Sequence, residues 1–113
     1  MFDVEILHNP QCSKSRSTLE LLKQNGITPK ITEYLNDPIS ADRIEEISSN
    51  LGLKPSQFLR NGEYAKLGIT KAETEDGIVE QMAEHPILIE RPIVINGNKA
   101  RVGRPPELVL EII

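Results

Sequence analysis

Val4-Glu5-Ile6-Leu7-His8-Asn9-Pro10-Gln11-Cys12-Ser13-Lys14-Ser15-Arg16 carries the change of pattern on which the fold of this chain turns. Val4 to His8 is short and apolar-rich, and it stops at Asn9-Pro10, where a residue without an N–H cannot continue a sheet ladder. It reads as a buried first strand. From about Ser13 to Asn25, Thr18, Leu19, Leu21 and Leu22 fall at helical spacing, and Gly26 offers the left-handed residue that commonly closes a helix. Pro29 to Tyr34 alternates and carries Ile31, Thr32 and Tyr34, which predicts a second strand. Strand, helix and strand follow in order, with Cys12 in the first connecting loop.

The middle of the chain changes character. Ser40 caps a pattern with Ile44, Ile47 and Leu51 on one face and Gly52 as its stop. Pro55 to Arg60, Glu63 to Leu67 and Thr74 to Glu84 read as shorter helices separated by Gly62 and Gly68, although Gly77 costs about 1 kcal/mol against alanine inside the last of them. After Pro92, Ile93-Val94-Ile95 and Ala100-Arg101-Val102 flank Asn96-Gly97-Asn98-Lys99, a hairpin signal that makes strands three and four antiparallel neighbours. Pro105-Pro106 then opens a final amphipathic helix with Leu108, Val109, Ile112 and Ile113. The order is βαβ, a helical insertion of about residues 38 to 85, then ββα. One α/β domain over residues 1–113 accommodates it, with a four-stranded mixed sheet on the thioredoxin-like plan.

Composition limits the function classes. With 113 residues, one core without staples is expected, burying about two-thirds of the unfolded surface. A formal net charge of -4 disfavours nonspecific binding to nucleic acid, which depends on clustered Lys and Arg. The start Met1-Phe2-Asp3-Val4-Glu5 lacks a basic n-region, and no apolar run approaches the ~20 residues of a membrane span. The expectation is a cytoplasmic protein with no membrane partner. The one cysteine, Cys12, excludes an internal disulfide, a Cys-x-x-Cys pair and a four-cysteine zinc site. Redox work by Cys12 therefore needs an outside thiol.

Between a strand end and a helix start, the Cys12 sulfur would sit near unpaired backbone N–H groups and the positive end of the helix dipole, which favours the thiolate. Ser13, Ser15 and Arg16 add donors and a positive charge, so the turn combines a nucleophile with an anion cradle. The bland alternative is a small buried hydrophobe, and the polar neighbours argue against it. A cysteine-phosphatase loop needs Cys-x5-Arg, and Arg16 follows Cys12 too closely for that. His8, Cys12 and His85 lack metal-type spacing and a fourth ligand, so no metal is expected. His8 could tune the thiol or finish the strand by bonding to backbone. His85 before Pro86 reads as a helix C-terminal residue favoured by the dipole. Arg43 and Arg101 read as solvated.

His8-Asn9-Pro10-Gln11-Cys12-Ser13-Lys14-Ser15-Arg16, Phe58-Leu59-Arg60, His85 through Ile93 and Gly103-Arg104-Pro105 together resemble the glutaredoxin-coupled arsenate reductases, the ArsC-like branch of the thioredoxin superfamily. The resemblance runs nearly end to end. It implies that Cys12 attacks arsenate, that Arg60, Arg91 and Arg104 bind the oxyanion beside Ser15 and Arg16, and that Pro92 matches the cis-proline facing the cysteine. It also implies no bound cofactor, with glutathione as co-substrate and glutaredoxin resolving the mixed disulfide. Guanidinium forks suit such an oxyanion because they bind it bidentately and stay charged. One departure is that Ser13-Lys14-Ser15 stands where the best-known plasmid-encoded members resemble Cys-Gly-Thr-Ser. The alternative is the Spx-type regulator, which shares the fold and the Arg91-Pro92-Ile93 segment and binds RNA polymerase without turnover. Such regulators typically carry a second cysteine soon after the first, whereas position 15 is serine.

Overall fold

A computed structural model describes residues 3–113. Met1 and Phe2, the first residues of the acidic start, lie outside the described residues. The chain divides into two compact units, Met1–Asp37 with Arg91–Ile113, and Pro38–Glu90.

The first unit holds the sheet. Its strands are β1 (Val4–Leu7), β2 (Lys30–Thr32), β3 (Ile93–Asn96) and β4 (Lys99–Val102), in the spatial order β2-β1-β3-β4. β1 runs parallel to β2 and antiparallel to β3, and β3 pairs antiparallel with β4. The parallel pair needs a crossover, which α1 (Ser13–Gln24) supplies. Side chains alternate across the sheet, so Val4 and Ile6 share one face of β1; they join Leu22, Val94, Val109 and Ile112 in a buried cluster. Truncating a fully buried leucine such as Leu22 to alanine would cost roughly 2–5 kcal/mol. At the β3–β4 hairpin only Gly97 of the two turn residues has a positive φ, +63°, the pattern of a type II′ turn.

Three elements of this unit differ from the sequence reading. β2 covers only Lys30–Thr32 of the stretch expected as a strand from Pro29 to Tyr34. β1 stops at Leu7, although His8 N–H still donates to Thr32 O at 2.9 Å. The C-terminal segment Pro106–Ile112 is a 3-10 helix rather than an α-helix. Its length is pinned from outside: Asn96 Nδ2 donates to Ile112 O at 2.6 Å, and Arg101 pairs with Glu111 at 3.0 Å.

In the second unit, α2 (Ala41–Leu51) begins where Ser40 Oγ accepts from Arg43 N at 3.1 Å and ends at Gly52, φ +68°. α3 (Glu63–Leu67) follows, and α4 (Glu75–Glu84) begins where Thr74 Oγ1 accepts from Gly77 N at 3.1 Å. A Cβ at Gly77 would lie 2.8 Å from Ala72 Cβ, so close approach explains the glycine that weakens this helix. Ile44 and Ile47 of α2 and Ile78, Val79 and Met82 of α4 are buried. The stretch expected as a helix to Arg60 is a 3-10 turn ending at Phe58. Leu59 turns extended because it bridges Ile89, with Arg60 N donating to Leu88 O at 2.7 Å and Glu90 N to Phe58 O at 2.9 Å. Among the described residues no helix is long and apolar enough to cross a membrane.

Candidate active site

Cys12 is the N-cap residue of α1, with extended dihedrals of φ -97° and ψ 123°. The turn before it is closed by Cys12 N donating to Asn9 O at 3.0 Å and by Gln11 N donating to Asn9 Oδ1 at 3.0 Å. Pro10 provides no donor there, and Asn9 supplies two acceptors from one residue. No acidic residue occupies the first turn of α1, so nothing there competes with a thiolate for the helix end.

The half-buried sulfur lies 3.5 Å from Arg104 Nη2. Burial pushes the Cys12 thiol up, but the Ser15 N–H, the Arg91 charge, the Lys14 N–H and the Arg104 charge act the other way, and its pKa is lowered overall. The sulfur makes no cap hydrogen bond of ordinary geometry; the two N–H groups act on it as part of the electrostatic field at the helix start. Arg104 is itself braced, with Nε donating to Arg91 O at 2.7 Å. Gly103 N donates to Pro92 O at 2.9 Å, so the segments carrying the two arginines are stitched together. The Arg91–Pro92 peptide is cis, and so is Arg104–Pro105, a feature the sequence reading did not contain.

His8 and Ser15 form a second, buried layer. Ser15 Oγ lies 2.6 Å from His8 Nδ1 and accepts from Asn9 N at 3.0 Å. The hydroxyl can accept from Asn9 N–H and at the same time donate to an unprotonated Nδ1, an arrangement that satisfies both partners. Neutral His8 agrees with its lowered pKa: burial is the largest cause, Lys23 and Arg16 add to it, and Glu33 opposes. The Ser15 hydroxyl thus serves His8, while the Ser15 backbone N–H serves the sulfur.

Arg16 lies in the first turn of α1. Its Nη1 donates to Pro10 O at 2.9 Å and its charge acts on His8, while the cationic help to Cys12 comes from Arg91 and Arg104. Arg60 belongs to the second unit. There Nη1 donates to Ile87 O at 3.2 Å and Nη2 pairs with the buried Glu63 at 3.0 Å. His85 is the C-cap of α4, its N–H bonded to Gln81 O at 2.7 Å. Among the described residues no three His, Cys, Asp or Glu side chains gather as a metal-binding group.

A mixed four-stranded sheet with a low-pKa cysteine at the start of its first helix defines a thioredoxin-like thiol protein. The chain belongs to the ArsC family, whose model matches residues 7–112. It is 45% identical to an arsenate reductase of Haemophilus influenzae, over 97% of this chain and 98% of that one. It is 43% identical to protein YfgD of Escherichia coli K12, over 97% and 96%. An arsenate reductase from Vibrio cholerae superposes with a TM-score of 0.87 at 43% identity, covering 97% of each chain.

Proposed function

We propose that the chain is a cytoplasmic arsenate reductase that draws its electrons from glutathione and glutaredoxin. The observation that carries the reading is the Cys12 sulfur at a helix start, 3.5 Å from Arg104 and within the field of Arg91. A thiolate there can attack arsenic(V): an S–As bond forms and one arsenate oxygen leaves as hydroxide or, once protonated, as water. The two guanidinium groups hold the remaining oxygens and neutralise charge as it builds. A glutathione thiolate then attacks the Cys12 sulfur. An S–S bond forms, the S–As bond breaks, and its electron pair stays on arsenic, which leaves as arsenite. Arsenic gains two electrons, and two sulfur atoms lose one each.

With no second cysteine, Cys12 cannot clear its own mixed disulfide, which is the place for glutaredoxin: its thiol attacks the glutathione sulfur and frees Cys12. Arg60 is assigned to arsenate by resemblance and not by any geometry within its unit. The test is arsenite formation with glutathione and glutaredoxin, with phosphate and sulfate run beside arsenate. Arsenite production that depends on both thiols and vanishes in Cys12→Ser is expected; a wild-type rate equal to the Cys12→Ser background would overturn the reading.

A further inference from the structure

Arg16, Glu20 and Gln24 continue the four-residue row that starts at Cys12, so one stripe of α1 leads directly away from the sulfur. Beside it runs an open groove of about 610 Å3, bounded on its far side by Pro106 and Glu107 and given an apolar patch by half-buried Leu21. Both walls belong to the first unit. Apart from Arg16, which the resemblance sets beside the oxyanion, the chemistry described above uses none of this surface, and Arg16 also braces the Cys12 turn through Pro10 O.

Length, charge and position together describe an occupant. A helix rises about 1.5 Å per residue, so Arg16 to Gln24 spans about 12 Å, and an extended chain at about 3.3–3.6 Å per residue places three residues in about 10 Å. The lining mixes charge, with the guanidinium of Arg16 about one helical turn from Cys12, the carboxylate of Glu20 about one turn further along α1, and Glu107 on the opposite wall. Helical side chains lean toward the N-terminus, which tilts Arg16 toward the Cys12 turn, where Nη1 already meets Pro10 O. Guanidinium has five N–H donors, so donors remain for a ligand carboxylate.

A short peptide thiol with carboxylates and one ammonium matches these features. We propose that this groove is the glutathione subsite, with Arg16 receiving a carboxylate and Glu20 and Glu107 receiving the γ-glutamyl ammonium. The assignment rests on the reading of Cys12 as a thiol-coupled centre, and it is testable without arsenate. The Cys12 thiolate attacks one sulfur of glutathione disulfide; a Cys12–glutathione S–S bond forms, the original S–S bond breaks, and one glutathione leaves as thiolate.

The experiment measures initial rates of this exchange in the full chain by mass spectrometry, using glutathione disulfide and, separately, the uncharged disulfide of 2-mercaptoethanol. The ratio of the two rates reports groove binding. In Glu20→Gln and Glu107→Gln the ratio should fall at least about fivefold, while the rate with the uncharged disulfide stays within about twofold. Glutathione disulfide is a net anion, so loss of an acid acting only through the general field would raise the ratio. Gln24→Trp, which fills the far end of the groove, should lower the ratio without changing any charge. A ratio unchanged or raised in all three variants would overturn the proposal. A falling ratio in a protein that makes no arsenite would support the groove while removing arsenate from the function.

Discussion

Replacing Gly103 with alanine tests how the site is assembled. The added Cβ would lie 2.6 Å from Thr18 Oγ1, 2.9 Å from Pro92 Cγ and 3.2 Å from Thr18 Cγ2. Ordinary carbon contacts sit near 3.5–4.0 Å, so α1 and the Pro92 loop must separate by about 1 Å. Neither neighbour gives easily. Thr18 is fully buried with Oγ1 donating to Lys14 O at 2.8 Å, and Pro92 O accepts the Gly103 N–H at 2.9 Å. Overpacking of this kind costs about 1–3 kcal/mol, which for a chain of this length lowers Tm by roughly 4–15 °C. Arg104 is the next residue, so its reach to the sulfur should lengthen and the thiol pKa should move up toward its ordinary value. Thermal unfolding by circular dichroism reads the first effect, and thiolate absorbance against pH reads the second. Thr18→Ala removes two of the three clashing atoms, so the double variant should be more stable than the sum of the single losses predicts, by at least about 0.5 kcal/mol. A Gly103→Ala protein melting within about 1 °C of the wild type, or strict additivity in the double variant, would refute the reasoning.

Arg104→Lys should lower kcat/KM for arsenate more than tenfold, about 1.4 kcal/mol of transition-state stabilisation, because one ammonium cannot hold both Arg91 O and the sulfur; steady-state kinetics on the folded variant check this. Cys12 should show thiolate absorbance at a pH below that of a free cysteine, and adding sulfate or phosphate should raise its apparent pKa by drawing on Arg91 and Arg104; a titration indifferent to both anions would remove the anion site. His8, held neutral, has a folded pKa below its unfolded value of 6.5, so the unfolded chain binds more protons in that window and stability falls as pH drops through it. Urea unfolding at pH 7 and pH 5.5 should show this loss, and His8→Gln should lose less. Cys12→Ser should fold normally by circular dichroism and make no arsenite, since a hydroxyl stays protonated near neutrality and cannot form the mixed disulfide.

The sheet was legible because its signals are local. Asn9-Pro10 stops β1, Gly26 follows α1, and the Asn96-to-Lys99 turn joins β3 to β4, each a constraint acting within a few residues. Much of the helical middle was legible too, down to the Ser40 cap that accepts from Arg43 N, whereas Thr74 was read as helical and is the cap that accepts from Gly77 N. The errors fall where distant partners decide. Nothing near Leu59 in sequence shows that Ile89 will pull it out of a helix into an extended bridge. The 3-10 winding of Pro106–Ile112 likewise accompanies contacts from Asn96 and Arg101, which no local pattern contains.

The same division runs through the chemistry of Cys12. The part of its activation that comes from the helix start follows from position alone, since the second and third residues of α1, Lys14 and Ser15, present the N–H groups that act on the sulfur. The part that comes from charge does not follow from position, since the cations acting on the sulfur are Arg91 and Arg104. Arg16 is nearest in sequence, yet the first turn of α1 spends its guanidinium on Pro10 O. Arg104 is 92 residues from Cys12 and reaches it because Gly103 leaves room against Thr18 and bonds back to Pro92. The resemblance named Arg91 and Arg104, but only the packing gives the reason they act as a pair: the carbonyl of one holds the guanidinium of the other. Damage to that stitching should therefore appear as a change in thiol acidity even when every charged residue is intact, a separation of geometry from charge that Gly103→Ala and Arg104→Lys together would resolve.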